Sequence, residues 1–213
     1  MNQLPYSLHF LKSITSVSDW EKTNVEYPQL ETTPSLSMIG RSNVGKSSLI
    51  NALFGLQAAK VSQTPGKTRA INLFQLSFKN QLIDGFLFDL PGYGHASISK
   101  EERQKWDELL AHFFEYHPDG STLLCMQDAR HPFQQNDLET IDYLAGLKNN
   151  KILIFNKMDK LKSQKEKNEF NQLLKKHNNI LLIFDQVESL STIQANTLQS
   201  LCQTLATLFS HLK

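Results

Sequence analysis

The stretch Gly40-Arg41-Ser42-Asn43-Val44-Gly45-Lys46-Ser47 is the one from which the fold of this chain follows. It matches G-x-x-x-x-G-K-S. The apolar run Ser35 to Ile39 precedes it, and Ser47 to Phe54 follows with Leu49, Ile50, Leu53 and Phe54 at helical spacing. Strand, glycine-rich turn and helix in that order make a phosphate cradle. Gly40 and Gly45 let the backbone bend so that successive amide N–H groups and a helix N-terminus converge on an anion. Lys46 then neutralises the β- and γ-phosphates of a nucleotide, and the Ser47 hydroxyl ligates Mg2+. In this context a chance Gly-Lys-Ser turn is a poor alternative.

Two further segments gain meaning from that anchor. Asp89-Leu90-Pro91-Gly92 ends an apolar run that starts at Phe86. An acidic group there holds the magnesium through a water, and Gly92 brings a backbone amide beside the γ-phosphate, so that loss of the phosphate releases the turn. Alone, these four residues are a common turn; their order and distance after the phosphate loop reverse that reading. Asn156-Lys157-Met158-Asp159 directly follows the run Ile152 to Phe155. Asp159 can accept hydrogen bonds from guanine N1–H and the N2 amino group, which adenine cannot offer, and a carboxylate left unpaired penalises ATP. Lys157 lies along the base and the loop, and Asn156 ties the segment to the phosphate loop. Third in order after the other two, the segment selects GTP over ATP.

Around these segments, short apolar runs alternate with stretches of helical period from Ser35 onward, the pattern of βαβ units on a mostly parallel sheet with helices on both faces. Ala70 to Phe78 and Phe86 to Asp89 read as neighbouring strands joined by a turn containing Lys79, Asn80, Asp84 and Gly85, which makes one antiparallel edge strand. Lys100 to His112 reads as an amphipathic helix, with Phe113 closing its apolar stripe. Asn136 to Leu147 reads as a helix capped by Asn136, with Glu139 three residues on. Leu123 to Met126 and Lys151 to Phe155 are buried strands. Thr197 to Leu212 is a final helix with leucines at 198, 201, 205, 208 and 212, a stripe suited to core packing.

A chain of 213 residues supports one substantial core. Residues 35–213 form the nucleotide-binding domain. Residues 1–34, weaker in period and rich in Ser and Thr, are an extension packing on or leading into it. Lys and Arg number 22 against 21 Asp and Glu, so overall charge argues for no nucleic-acid partner and DNA is not expected. The start has no export-signal pattern, and no window approaches the roughly 20 apolar residues of a spanning helix, so a cytoplasmic protein without a membrane partner is expected. Cys125 and Cys202 are too few for a disulfide framework or a metal site and read as reduced packing residues.

Beyond these general motifs the chain resembles the EngB (YihA) family of bacterial GTPases, within the Ras-like P-loop GTPases, over nearly its whole length. The resemblance rests on Gly40-Arg41-Ser42-Asn43, Thr64-Pro65-Gly66-Lys67-Thr68, Ile71-Asn72-Leu73-Phe74, Asp89-Leu90-Pro91-Gly92-Tyr93-Gly94, Trp106, Asp128-Ala129-Arg130-His131-Pro132 and Asp159-Lys160-Leu161. It implies a Ras-like GTPase fold and Mg-dependent hydrolysis of GTP to GDP and phosphate. The nucleotide would meet the whole Gly40 to Ser47 loop, Gly66, Lys67, Thr68, Arg69 and Ala70, Asp89 to Gly92, Asn156 to Asp159, and Leu190, Ser191 and Thr192, the last three through backbone beside the base. Thr68 is implied to be the switch threonine, binding Mg2+ with Ser47, so that Lys46, Thr68 and Gly92 serve the reaction. The last strand is then expected at about Val187 to Ser191, and Ile180 to Phe184, strand-like by periodicity alone, belongs to the preceding element.

Three departures from the family pattern stand out. Asn156 restores the general GTPase form where members often carry Thr, Arg69 stands where Gln is common, and Ser77 to Gly85 is a few residues long. Ras-like enzymes orient the attacking water with a Gln at the position of Tyr93, so slow intrinsic hydrolysis and an activator are implied. Some related GTPases use an Asn at the position of Asn43 to help bind K+. The resemblance also implies a role in assembling the large ribosomal subunit, with its precursor and rRNA as partners, in normal cell division and septation, and as a monomer. From Lys148 to His177 nine lysines face three acidic residues, a basic face for RNA phosphates that fits a solvated helix face equally well. The alternative is a nucleotide-gated protein-binding module at the division machinery.

Overall fold

The structure is a computed structural model that describes residues 4, 6–55, 70–78, 83–93, 99–116 and 121–210. A seven-stranded sheet runs through it: β1 (Tyr6–Ile14), β2 (Ser35–Gly40), β3 (Ile71–Phe78), β4 (Ile83–Asp89), β5 (Thr122–Asp128), β6 (Asn150–Asn156) and β7 (Gln186–Ser189), in the order β1-β3-β4-β2-β5-β6-β7. The pairs from β4 through β2, β5 and β6 to β7 are parallel, and β3 is antiparallel to both of its neighbours. The reversed strand therefore sits where the sequence put it, but it is not the edge. The N-terminal segment supplies β1, which covers it. Residues ahead of the expected boundary at 34/35 thus share the sheet of the nucleotide-binding region.

The strands at the sheet centre read as unbroken apolar runs because both faces are covered. Alternation within them divides the core: Ile152 and Ile154 of β6 face one layer, Leu153 and Phe155 the other. The first layer holds α2 (Lys46–Phe54), with Leu49, Ile50 and Leu53 buried, and α7 (Gln199–Ser210), with Leu201 and Leu205 buried. The second takes α1 (Val17–Glu26), α3 (Lys100–Glu115), α4 (Gln135–Ala145) and α5 (Gln164–Lys176). There Trp20 of α1 packs on Phe88 and Phe113 with ring centroids 5.7 and 5.0 Å away. No helix among the described residues is long and apolar enough to cross a membrane.

Element ends moved where tertiary partners overrode local signals. The helix expected from Asn136 starts at Gln135, capped by Gln134, whose backbone N–H donates to Asp137 Oδ2 at 3.0 Å. Gln134 and Asp137 have the same spacing as the expected Asn136 and Glu139, and Asp137 wins because it is drawn inward by groups of other elements. Ile180 to Phe184 falls in a short α6 (Asn178–Leu181) and a turn, and the last strand begins one residue early and stops at Ser189. Leu198 belongs to a 3-10 turn ahead of α7, and Leu212 lies outside the described residues.

Candidate functional site

The three motif segments follow the parallel strands β2, β4 and β6, of which β4 adjoins β2 and β6 stands one strand away across β5, and they meet at one rim, where open parallel sheets bind ligands. After β2 the chain turns through Arg41 to Gly45, with Asn43 at φ 61° and Gly45 at φ 107°. These left-handed residues curl the amides toward the start of α2, and Asn tolerates this backbone better than most residues. Lys46 is half-buried at the helix start, its Nζ 3.3 Å from Gly40 O. Burial lowers its pKa and the nearby Asp89 carboxylate partly opposes this.

Asp89 closes β4. Burial pushes its carboxyl up to about 6, against the pull of Lys46 and a hydrogen bond from Asn72. Its Oδ1 is buried and has no hydrogen-bond partner among the described residues. An orphaned carboxylate oxygen beside a half-buried lysine suits a hydrated cation. Nothing in the sequence around Asn72 of β3 signals its hold on Asp89, which comes from the β3–β4 pairing that sets the two residues opposite each other.

The third segment is tied to the first. Asn156 Nδ2 donates to Val44 O at 3.0 Å, and its Oδ1 accepts from the Lys157 N–H at 2.8 Å. Lys157, at φ 66°, sends Nζ to Asn43 O at 2.6 Å and to Asp128 Oδ2 at 3.0 Å. Asp128, the last residue of β5, also takes two hydrogen bonds from the Arg130 guanidinium, at 2.9 and 2.6 Å. Desolvation opposes its ionisation, yet the Arg130 and Lys157 hydrogen bonds hold it well below the usual carboxylate range.

Asp159 accepts from the Ser191 hydroxyl at 2.6 Å and lies 3.4 Å from Lys160 Nζ. Chiefly through the Ser191 hydrogen bond, its pKa is lowered, so it is an acceptor at neutral pH. Ser191 was expected to act through its backbone; its buried side chain also orients Asp159. Leu190 fastens the loop, its N–H donating to Phe155 O at 2.9 Å and its carbonyl accepting from the Met158 N–H at 3.2 Å. Thr192 follows it, partly exposed.

Leu90, Pro91 and Gly92 continue from β4 toward the phosphate loop, where Ser42 N–H donates to Tyr93 O at 3.0 Å. A Cβ on Gly92 would lie 2.7 Å from Ser42 Cα and N, so only glycine fits. Ala70 is buried at the foot of β3, whereas Gly66, Lys67, Thr68 and Arg69, with the proposed switch threonine among them, lie outside the described residues. Among the described residues no group of three His, Cys, Asp or Glu side chains could by itself hold a metal.

A left-handed glycine loop before α2, an acidic strand end facing a half-buried lysine, and a loop tied to it by an asparagine together define a P-loop nucleotide-binding domain of the GTPase class. Comparison with known proteins agrees. Residues 35–157 match the family model described as 50S ribosome-binding GTPase. The chain is 42% identical over 132 residues to a probable GTP-binding protein EngB of Acidobacterium capsulatum, covering 61% of this chain and 63% of that one. To the protein described in the same words from Thermosipho africanus it is 37% identical over 155 residues, covering 72% and 76%. A crystal structure of a probable GTP-binding protein engB superposes with a TM-score of 0.59 at 24% identity, covering 83% of this chain and 99% of that one, which speaks for the fold. The chain belongs to this GTPase family, among its EngB members. It spans less than two thirds of the length of the first relatives it matches, 63% and 65% for two of them.

Proposed function

We propose that this protein binds GTP and GDP through its three rim segments and hydrolyses GTP slowly, as a switch that acts on the large ribosomal subunit during its assembly. The observation that carries the nucleotide reading is the 3.0 Å bond from Asn156 to Val44, which joins the guanine-type segment to the phosphate loop and gives a nucleotide a base site and a phosphate site at one rim. Asp159, acceptor-only and fixed by Ser191, is suited to the guanine edge. Gly40 to Lys46 would wrap the phosphates. Ser47, Thr68 and, through water, Asp89 would hold Mg2+, which supplies charge neutralisation on the β- and γ-phosphates.

Tyr93 commits its hydroxyl to Asp137, so no side chain among the described residues of that turn orients an attacking water. This supports slow hydrolysis that waits on an activator or on K+ held near Asn43. The ribosomal reading rests on the family description and on α5 with its flanks, where Lys160, Lys162, Lys165, Lys167, Lys175 and Lys176 are all exposed.

The first test is equilibrium binding of fluorescent GDP competed by GTP and ATP, for the native chain and Asp159→Ala. GTP should compete, ATP should not, and the variant should lose that preference. Equal competition by ATP overturns the reading. Salt-sensitive sedimentation with large-subunit particles in GTP but not GDP tests the ribosomal step, and hydrolysis at equal rates in sodium and potassium buffers, with activator present, removes K+.

A further inference from the structure

The turn after Asp89 is fastened to the phosphate loop from both chain and side chain. Leu90 N–H donates to Met38 O at 3.1 Å, Ser42 N–H donates to Tyr93 O at 3.0 Å, and Arg41 and Tyr93 form an isolated parallel bridge. Beyond this backbone seam the Tyr93 hydroxyl donates to Asp137 Oδ1 at 2.9 Å. Asp137 stands at the start of α4, outside every nucleotide segment, and is 0% exposed. Its Oδ2 accepts from the Gln134 N–H at 3.0 Å. Arg41 Nε lies 3.0 Å from Oδ1 in an ion pair, though off the direction of a hydrogen bond, while Arg41 Nη2 donates to His131 O at 2.6 Å. One buried carboxylate thus joins the phosphate loop, the turn that carries Gly92, and α4.

We infer that Asp137 and the Tyr93 hydroxyl form a clasp that holds the Gly92 turn against the phosphate loop, making Asp137 a positioning residue for GTP as distinct from GDP. This rests on the GTPase reading above. A turn fixed by single neutral backbone bonds exchanges among positions; a hydrogen bond to a buried carboxylate is stronger and directional. Ordering the turn before the nucleotide arrives removes an ordering cost from the binding step. GDP has no γ-phosphate for Gly92 to meet, so only GTP gains. The clasp also explains why a Tyr can stand where a water-orienting Gln is common: its side chain serves α4.

The test uses the full chain with Mg2+, fluorescent GDP and a non-hydrolysable GTP analogue, for native protein, Tyr93→Phe, Asp137→Asn and the double variant. Tyr93→Phe should weaken the GTP analogue about 10-fold, the scale of one hydrogen bond to a charged group, and leave GDP within about 2-fold. Asp137→Asn should shift the ratio the same way, and the double variant should fall short of the product of the two. Since Asp137 also caps α4, Tyr93→Phe, which deletes one hydroxyl and keeps the cap, is decisive if Asp137→Asn unfolds. Equal weakening of both nucleotides, or a GTP analogue bound as well as or better than by native protein, overturns the clasp. If native protein binds neither nucleotide, the GTPase reading fails and the clasp with it; if native protein binds both and the ratio stays fixed, the clasp alone fails.

Discussion

Lys157 Nζ donates to Asn43 O at 2.6 Å, and both residues hold left-handed backbones, at φ 66° and 61°. Two left-handed positions 114 residues apart are thereby locked to each other, one in the glycine loop after β2 and one in the loop after β6. Lys157→Met keeps the stem and removes the donor. GDP and GTP affinity should both fall about 10- to 100-fold, since a hydrogen bond from a charged group is worth about 1.5–3 kcal/mol. Competition binding with both nucleotides checks this, and a loss confined to GTP would contradict a shared scaffold role.

Gly45 carries a second constraint. At φ 107° a side chain is strained, and its Cβ would run into the Asn156 amide. Gly45→Ala should cost about 1–3 kcal/mol of stability from the backbone alone, with nucleotide binding lost as Asn156 is pushed off Val44 O. Urea unfolding of the nucleotide-free variant and a fluorescent-GDP titration report the two effects separately.

On the proposed function, Asp89 would make Mg2+ binding sensitive to acid. Its proton is held more tightly in the fold, with a pKa of about 6 against 3.8 for the free group, and a protonated carboxyl cannot serve a hydrated cation. The increment in GTP affinity given by Mg2+ should therefore shrink as pH falls through about 6, and Asp89→Asn should remove that step, which separates it from titration of the nucleotide's own phosphates. The linkage to stability has the opposite sense. Because the folded pKa is the higher one, this group costs the nucleotide-free chain stability as pH rises from about 4 to about 6. Chemical denaturation at pH 4.5 and 6.5, native against Asp89→Asn, should show the cost only in the native chain.

Trp20 tests whether the N-terminal segment belongs to the domain. It is 2% exposed between Phe88 and Phe113, and its Nε1–H has no hydrogen-bond partner among the described residues. Trp20→Ala should cost about 3–5 kcal/mol through the cavity it leaves. Trp20→Phe removes an unsatisfied donor along with some volume and should cost clearly less, by thermal unfolding. An alanine variant as stable as the native chain would mean that residues 6–31 fold onto the sheet only loosely.

The segments of the candidate site were legible in the chain because each motif is local. A loop that must bend around phosphates needs Gly40 and Gly45, a guanine edge needs Asp159, and both requirements fall within a few consecutive residues. Strands β2, β5 and β6 were legible for a similar reason: burial on both faces writes an unbroken apolar run. The residues that support the site could not be read this way. Asp128, Tyr93 and the carboxyl of Asp137 act on partners 29, 44 and 96 positions distant, Lys157, Asp137 and Arg41 respectively, and nothing in their immediate sequence names those partners.

Taken alone, the sequence determined the class of sheet, the order of its central strands and helices, and the three segments that the fold brings to one rim, because periodicity and turn chemistry are properties of neighbouring residues. The tertiary structure alone decided that the first strand completes the sheet beyond β3, that α4 begins at Gln135, and that Ser191 orients Asp159. Those outcomes depend on which distant backbone or carboxylate a residue meets once the chain has closed, and hydrogen bonding between residues far apart in sequence leaves no periodic trace in it.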